Sequence, residues 1–231
     1  MQDTPDIAVE EPQEPAPPAV PVLAGRAAEV FRGLWVSLFY SGRPASSTVM
    51  VCSARSGEGT STVACGLALA GSESAALARV ALVDFNLRRP ALHEMLGRQP
   101  GPGISDVLMG QVSLEAAAQR VNDGLDLYAV GGAAEAILDL FRGQGPAKAL
   151  RALAERYNYV LVDVAPVNQY PEAQVLAAAA GSVVLVAHAD RTPLEAVVQA
   201  RRSIEAGGGK LAGTVLNLRT YPIPKFLYRR V

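Results

Sequence analysis

Long apolar runs, basic clusters, cysteines and histidines are all scarce in this chain of 231 residues, and each shortage excludes something. The longest apolar stretch, residues 175–187, is interrupted by Gly181 and Ser182 and is too short to span a bilayer. The first fourteen residues hold Asp3, Asp6, Glu10, Glu11 and Glu14 with no Lys or Arg, so they lack the basic region and apolar core of a signal peptide. A net charge of −1 argues against nucleic acid as a partner, since that binding needs a basic patch. The two cysteines, Cys52 and Cys65, fall on a predicted strand and on the helix after it. Free cysteine there acts as a small buried hydrophobe, which fits a reducing cytoplasm better than a disulfide or metal site. His93 and His188 are isolated and make no metal site. A soluble cytoplasmic protein is expected.

Half of the residues are hydrophobic, enough for one substantial core. Residues 1–22, rich in Pro, Glu and Asp, read as a disordered leader. Residues 23–218 read as one domain, and 219–231 as a basic aromatic tail. Within the domain, apolar strands at 48–52, 80–84, 125–130, 159–163, 182–188 and 211–217 alternate with helical segments. Those helices include 27–40, 61–70, 113–121, 146–157 and 193–206. Strands that are apolar throughout and separated by helices imply a mainly parallel sheet covered on both faces, a three-layer α/β/α fold. The first helix carries Phe31, Leu34, Trp35, Leu38 and Phe39 on one side, a stripe that suits the core or, alternatively, a subunit contact.

Between the first strand and the next helix lies a glycine loop, S-A-R-S-G-E-G-T-S-T at residues 53–62. Strand, loop and helix N-terminus converge unpaired backbone N–H groups and the positive end of a helix dipole, which suits a phosphate. The pattern G-x-x-x-x-G-K-[ST] places lysine where Thr60 stands, the metal-binding hydroxyl at Ser61 and the first glycine at Ala54. The scaffold is present without its usual charge. Candidate phosphate-binding residues are Arg55, Gly57, Glu58, Gly59, Thr60, Ser61 and Thr62. Asp84 and Asp163 each end a strand, at the sheet edge where ligands of parallel sheets bind. With Ser61 they form a hard-oxygen set suited to Mg²⁺, although either aspartate alone serves equally well as a helix cap or turn residue.

From about residue 29 onward the chain resembles the bacterial tyrosine kinases of capsule and exopolysaccharide synthesis, P-loop proteins related to the MinD/ParA ATPases. The matching phrases are E-V-F-R at 29–32, G-E-G-T-S-T at 57–62 and V-D-F-N-L-R-R-P at 83–90, with His93 and Gly97 beyond. G-I-S-D-V-L-M-G at 103–110, Y-N-Y-V-L-V-D at 157–163 and V-L-N at 215–217 complete them. The resemblance implies ATP and Mg²⁺ as cofactors, with Ser61, Asp84 and Asp163 at the metal and the two aspartates as catalytic candidates. It also implies homo-oligomers and a membrane polysaccharide co-polymerase (chain-length determinant protein) as partner, placing the chain peripherally at the inner membrane. Tyr221 and Tyr228 of the tail are the phosphoacceptor candidates. A tail this basic and aromatic equally suits docking on an anionic membrane or a partner.

The departures bear on activity. Thr60 removes a charge whose pairing at ~4 Å is worth on the order of 4 kcal/mol at an intermediate dielectric, before desolvation. Asn86 replaces the family's second aspartate, the candidate base, and an amide cannot accept a tyrosine proton near neutral pH. Ala165 breaks the D-T-P-P phrase, and Trp35 replaces the last arginine of the E-x-x-R-x-x-R motif associated with ring assembly. Arg55 stands at the signature-lysine position of MinD/ParA proteins and could supply charge in its place. Three readings follow: a tyrosine-kinase homologue with weakened or redirected phosphotransfer, a pseudokinase scaffold of the same machinery, and a MinD/ParA-like ATPase using Arg55.

Overall fold

The computed structural model of the chain describes residues 23–41, 46–74, 78–132, 137–141 and 143–220. The expected leader at 1–22 and the tail tyrosines Tyr221 and Tyr228 lie outside the described residues. The chain enters through α1 (Gly25–Phe39), then runs β1 (Thr48–Ser53), α2 (Thr60–Ser74) and β2 (Val80–Asp84). Three short helices follow, α3 (Leu92–Met95), α4 (Ile104–Leu108) and α5 (Leu114–Ala117), before the hairpin of β3 (Gln119–Asn122) and β4 (Leu125–Tyr128). The second half is α6 (Ile137–Leu140), α7 (Gly145–Ala154), β5 (Tyr159–Asp163), α8 (Glu172–Ala180), β6 (Ser182–His188), α9 (Leu194–Ala206) and β7 (Lys210–Asn217).

Seven strands form one sheet in the order β3-β4-β2-β5-β1-β6-β7, with β3 antiparallel and all other pairings parallel. The sequence predicts six strands and a helix over 113–121. Instead, the helix stops at Ala117 and residues 119–122 extend as β3. The cause is the Asp123-Gly124 pair, a two-residue hairpin turn, in which the Asn122 side-chain oxygen accepts the Gly124 amide at 2.9 Å. The apolar stretch at 175–187 likewise divides: Gly181, at φ +75°, ends α8 and lets β6 begin at once.

Alternation along the buried strands fills two cores. Met50, Cys52, Val83, Val160, Val162, Leu176 and Ile204 pack on one face beneath α7, α8 and α9. Val49, Val51, Leu82, Leu161 and Val184 pack on the other with Leu67 of α2 and Trp35 of α1. The stripe of α1 therefore faces the core. Trp35 is fully buried, with ring centroids 4.4 Å from Phe39 and 4.8 Å from Tyr159. Each such fully buried side chain contributes on the order of 2 kcal/mol by removal from water. Both cysteines are free and buried, and burial pushes their thiols up to about 12, so neither is a nucleophile. Among the described residues no helix is long and apolar enough to cross a membrane.

Candidate functional site

Parallel pairing brings the carboxyl ends of β1, β2 and β5 to one sheet edge, where the 54–59 loop turns into α2. A cleft of about 590 Å³ opens there, lined by Gly57, Gly59, Thr60, Ser61 and Thr62 of the loop and helix start. Asn86, Arg88 and Arg89 line it from the turn after β2, and Tyr170 and Leu218 from farther along the chain. No backbone acceptor takes the amides of Gly57, Gly59, Thr60, Ser61 or Thr62 among the described residues, whereas the Val63 amide donates to the Gly59 carbonyl at 3.0 Å. Those open donors at a helix start are the phosphate-cradle geometry.

Glu58 does not join them. It is buried, and its Oε2 accepts the amides of Ala54 at 2.9 Å and Arg55 at 3.0 Å, while the Thr192 hydroxyl donates to Oε1. The carboxylate thus braces the loop from behind and uses up two of its donors. On the other side Asn217, the last residue of β7, donates from Nδ2 to the Glu58 carbonyl at 3.0 Å. Gly59 sits under that amide with φ +84°, and a Cβ there would overlap Asn217 Nδ2. Thr192 and Asn217 escape a reading of the loop motif because they lie far along the chain, although the strand-end position of V-L-N pointed at Asn217. Arg55 is exposed and does not line the cleft.

The two aspartates behave differently. Asp163 is fully buried, and its Oδ2 accepts the Ser61 hydroxyl at 2.5 Å. Its Oδ1 is buried with no hydrogen-bond partner among the described residues. Burial, with the Asp84 charge beside it, holds this carboxyl well above the usual carboxylate range. Asp84 lies in register with Asp163 on the neighbouring strand. Its Oδ1 accepts the Asn86 amide at 3.0 Å, and its Oδ2 accepts the amides of Ala91 and Leu92 at 3.2 Å each. Burial raises it to about 6 despite those bonds. Asp84 therefore acts as the clamp of the 85–91 turn and the start of α3.

A hydroxyl on the cleft wall, backed by a carboxylate with one unpartnered buried oxygen, fits the hard-oxygen requirement of Mg²⁺. The cation a lysine at position 60 would bring is absent from the loop, where Thr60 is instead largely buried. The second phrase of the turn carries its own charges. Arg88 donates through Nη2 at 2.7 Å and Nε at 3.2 Å to Glu172 Oε1, and its guanidinium lies 4.9 Å from the Tyr170 ring centre. Arg89 makes no side-chain hydrogen bond or ion pair among the described residues.

The chain is similar to known proteins in both sequence and fold. YwqD of Bacillus subtilis, a tyrosine-protein kinase, is 29% identical over 171 residues, 74% of this chain and 71% of its own length. This chain is a homologue of bacterial tyrosine-protein kinases. EpsB of Ralstonia solanacearum is 29% identical over 191 residues, 82% of this chain, and the chain spans a quarter of EpsB (25%). The solved kinase domain of VpsO superposes with a TM-score of 0.75 at 27% identity, covering 84% of this chain and 95% of that one. No family model matches the chain.

Proposed function

We propose that this chain is a tyrosine-kinase-type P-loop protein that holds Mg-ATP against the 57–62 loop. It acts, on this reading, with a membrane polysaccharide co-polymerase in making or exporting a capsule or exopolysaccharide. The observation that carries the proposal is the Ser61 hydroxyl on the cleft wall bonded to Asp163, whose second oxygen lacks a partner. The open amides of residues 57–62 would receive the phosphates, and Ser61 with Asp163 would hold the metal. Bound Mg²⁺ supplies neutralising charge on the polyphosphate oxygens. The polysaccharide setting and the co-polymerase rest on the family resemblance and on the kinase homologues. On this reading the chain sits peripherally at the inner membrane through that partner.

A pseudokinase reading is favoured by one specific observation. The carboxylate of Asp84 is engaged by three backbone amides, and its neighbour in the turn is the amide Asn86. Neither is arranged to take a proton from a tyrosine hydroxyl. Calorimetric titration of the full chain with Mg-ATP, together with phosphotyrosine mass spectrometry of Tyr221 and Tyr228, separates the readings. Saturable binding with labelled tyrosines establishes the kinase. Binding without label establishes the pseudokinase. Absence of binding at millimolar ATP removes the nucleotide site altogether.

A further inference from the structure

We propose that Arg89 supplies the phosphate-facing cation that the loop lacks at Thr60, so that the loop gives a polyphosphate its backbone amides and the β2–α3 turn gives the side-chain charge. This inference rests on the nucleotide reading and names the group that makes it work. A polyphosphate of three or four negative charges needs more than backbone dipoles where water is partly excluded, and the glycine loop itself brings no side-chain cation to the cleft.

Two arginines line the cleft, and only one is available. The Arg88 guanidinium is committed to Glu172, whose side chain is 5% exposed, and to the face of Tyr170. Pulling it onto a phosphate would strand a buried carboxylate, a costly outcome. Arg55 is exposed and does not line the cleft. Arg89 is exposed, lines the cleft and has no side-chain partner among the described residues. Its backbone is nonetheless fixed: the Arg89 amide donates to the Asn86 carbonyl at 3.1 Å and reaches Asn86 Oδ1 at 3.3 Å. Two residues on, Asp84 holds the amides of Ala91 and Leu92. The stalk is anchored and the head is free. Because position 86 is a neutral amide, no carboxylate within the turn competes for the guanidinium. A guanidinium can also meet two phosphate oxygens with parallel hydrogen bonds, which an ammonium group cannot. On this account Asp84 is a positioning residue: it holds the turn that presents Arg89.

The test uses the full chain titrated with Mg-ATP, inorganic tripolyphosphate and adenosine. Arg89→Ala is expected to weaken Mg-ATP and tripolyphosphate at least tenfold and to leave adenosine unchanged. Arg89→Lys should recover part of the loss, and Thr60→Lys in the Arg89→Ala background should recover most of it, because the charge then returns from the loop. Wild-type binding left intact by Arg89→Ala overturns this inference alone, and does so most sharply if Arg55→Ala is the variant that loses affinity. Equal losses for adenosine and tripolyphosphate also overturn it, since charge is then not what was removed. Failure of the wild type to bind either polyphosphate removes the nucleotide reading and Arg89 with it.

Discussion

Glu58 shows how the direction of a side chain can escape its neighbours in sequence. Sitting between two glycines of a phosphate loop, it reads as a ligand-facing residue, yet its carboxylate points inward to Ala54, Arg55 and Thr192. The lysine missing at Thr60 was legible because the pattern spans a few adjacent positions. The role of Glu58 was not, because its partner Thr192 is 134 residues away. Gly59 is the corresponding steric test. Gly59→Ala forces a side chain into left-handed backbone and against Asn217 Nδ2. It should cost roughly 1–3 kcal/mol of stability by chemical denaturation and weaken Mg-ATP binding in parallel. An unchanged denaturation midpoint would show that Asn217 moves aside freely.

Among the elements, α1 and α2 were the most legible and β3 the least. A stripe of large apolar residues at helical spacing needs no tertiary information to be placed on a core. β3 is four residues of mixed polarity, and only the Asp-Gly turn after it marks it as half of a hairpin. The α1–α2 contact is intimate because small residues on α2 receive aromatic rings from α1. A Cβ on Gly66 would overlap Phe31, and one on Gly71 would overlap the ring of Trp35. Trp35 is fully buried between Phe39 and Tyr159 and has nowhere to retreat. Gly71→Ala should therefore destabilise by about 1–3 kcal/mol, read as a lower melting temperature with altered tryptophan emission. The same packing explains why this position suits tryptophan: an arginine here would enter a closed aromatic core instead of reaching a neighbouring subunit.

For the molecule as a whole, the layered, mainly parallel sheet was anticipated by its apolar strands except for the antiparallel β3, but the electrostatics of its carboxyl edge were not. Sequence places Asp84 and Asp163 at strand ends; only the register of β2 against β5 sets them side by side and buried. Burial raises Asp84 from 3.8 to about 6 and moves Asp163 in the same direction. Between those values the folded chain holds protons that the unfolded chain has released. The stability these groups confer is full below about pH 4 and is lost as pH rises through about 6. Urea midpoints of the ligand-free protein should fall as pH rises from about 4 through about 6, and Asp163→Asn should flatten that fall. A midpoint that rises over the same interval would mean that the pair is ionised and compensated in the folded state.

Toward the other end of the strands another buried carboxylate is managed differently. Asp126 accepts from Arg79 at 2.9 Å, Arg120 at 2.6 Å and the Tyr157 hydroxyl at 2.8 Å. One sheet edge thus neutralises its acid with permanent cations, and the other leaves its acids short of them.

The amide of Asn217 has a mechanical consequence. It grips the carbonyl of Glu58 from the last residue of β7, three positions before Thr220. Because the Asn217 carbonyl also accepts the Ala189 amide at 2.8 Å, this residue ties the end of the sheet to the turn beneath the cleft.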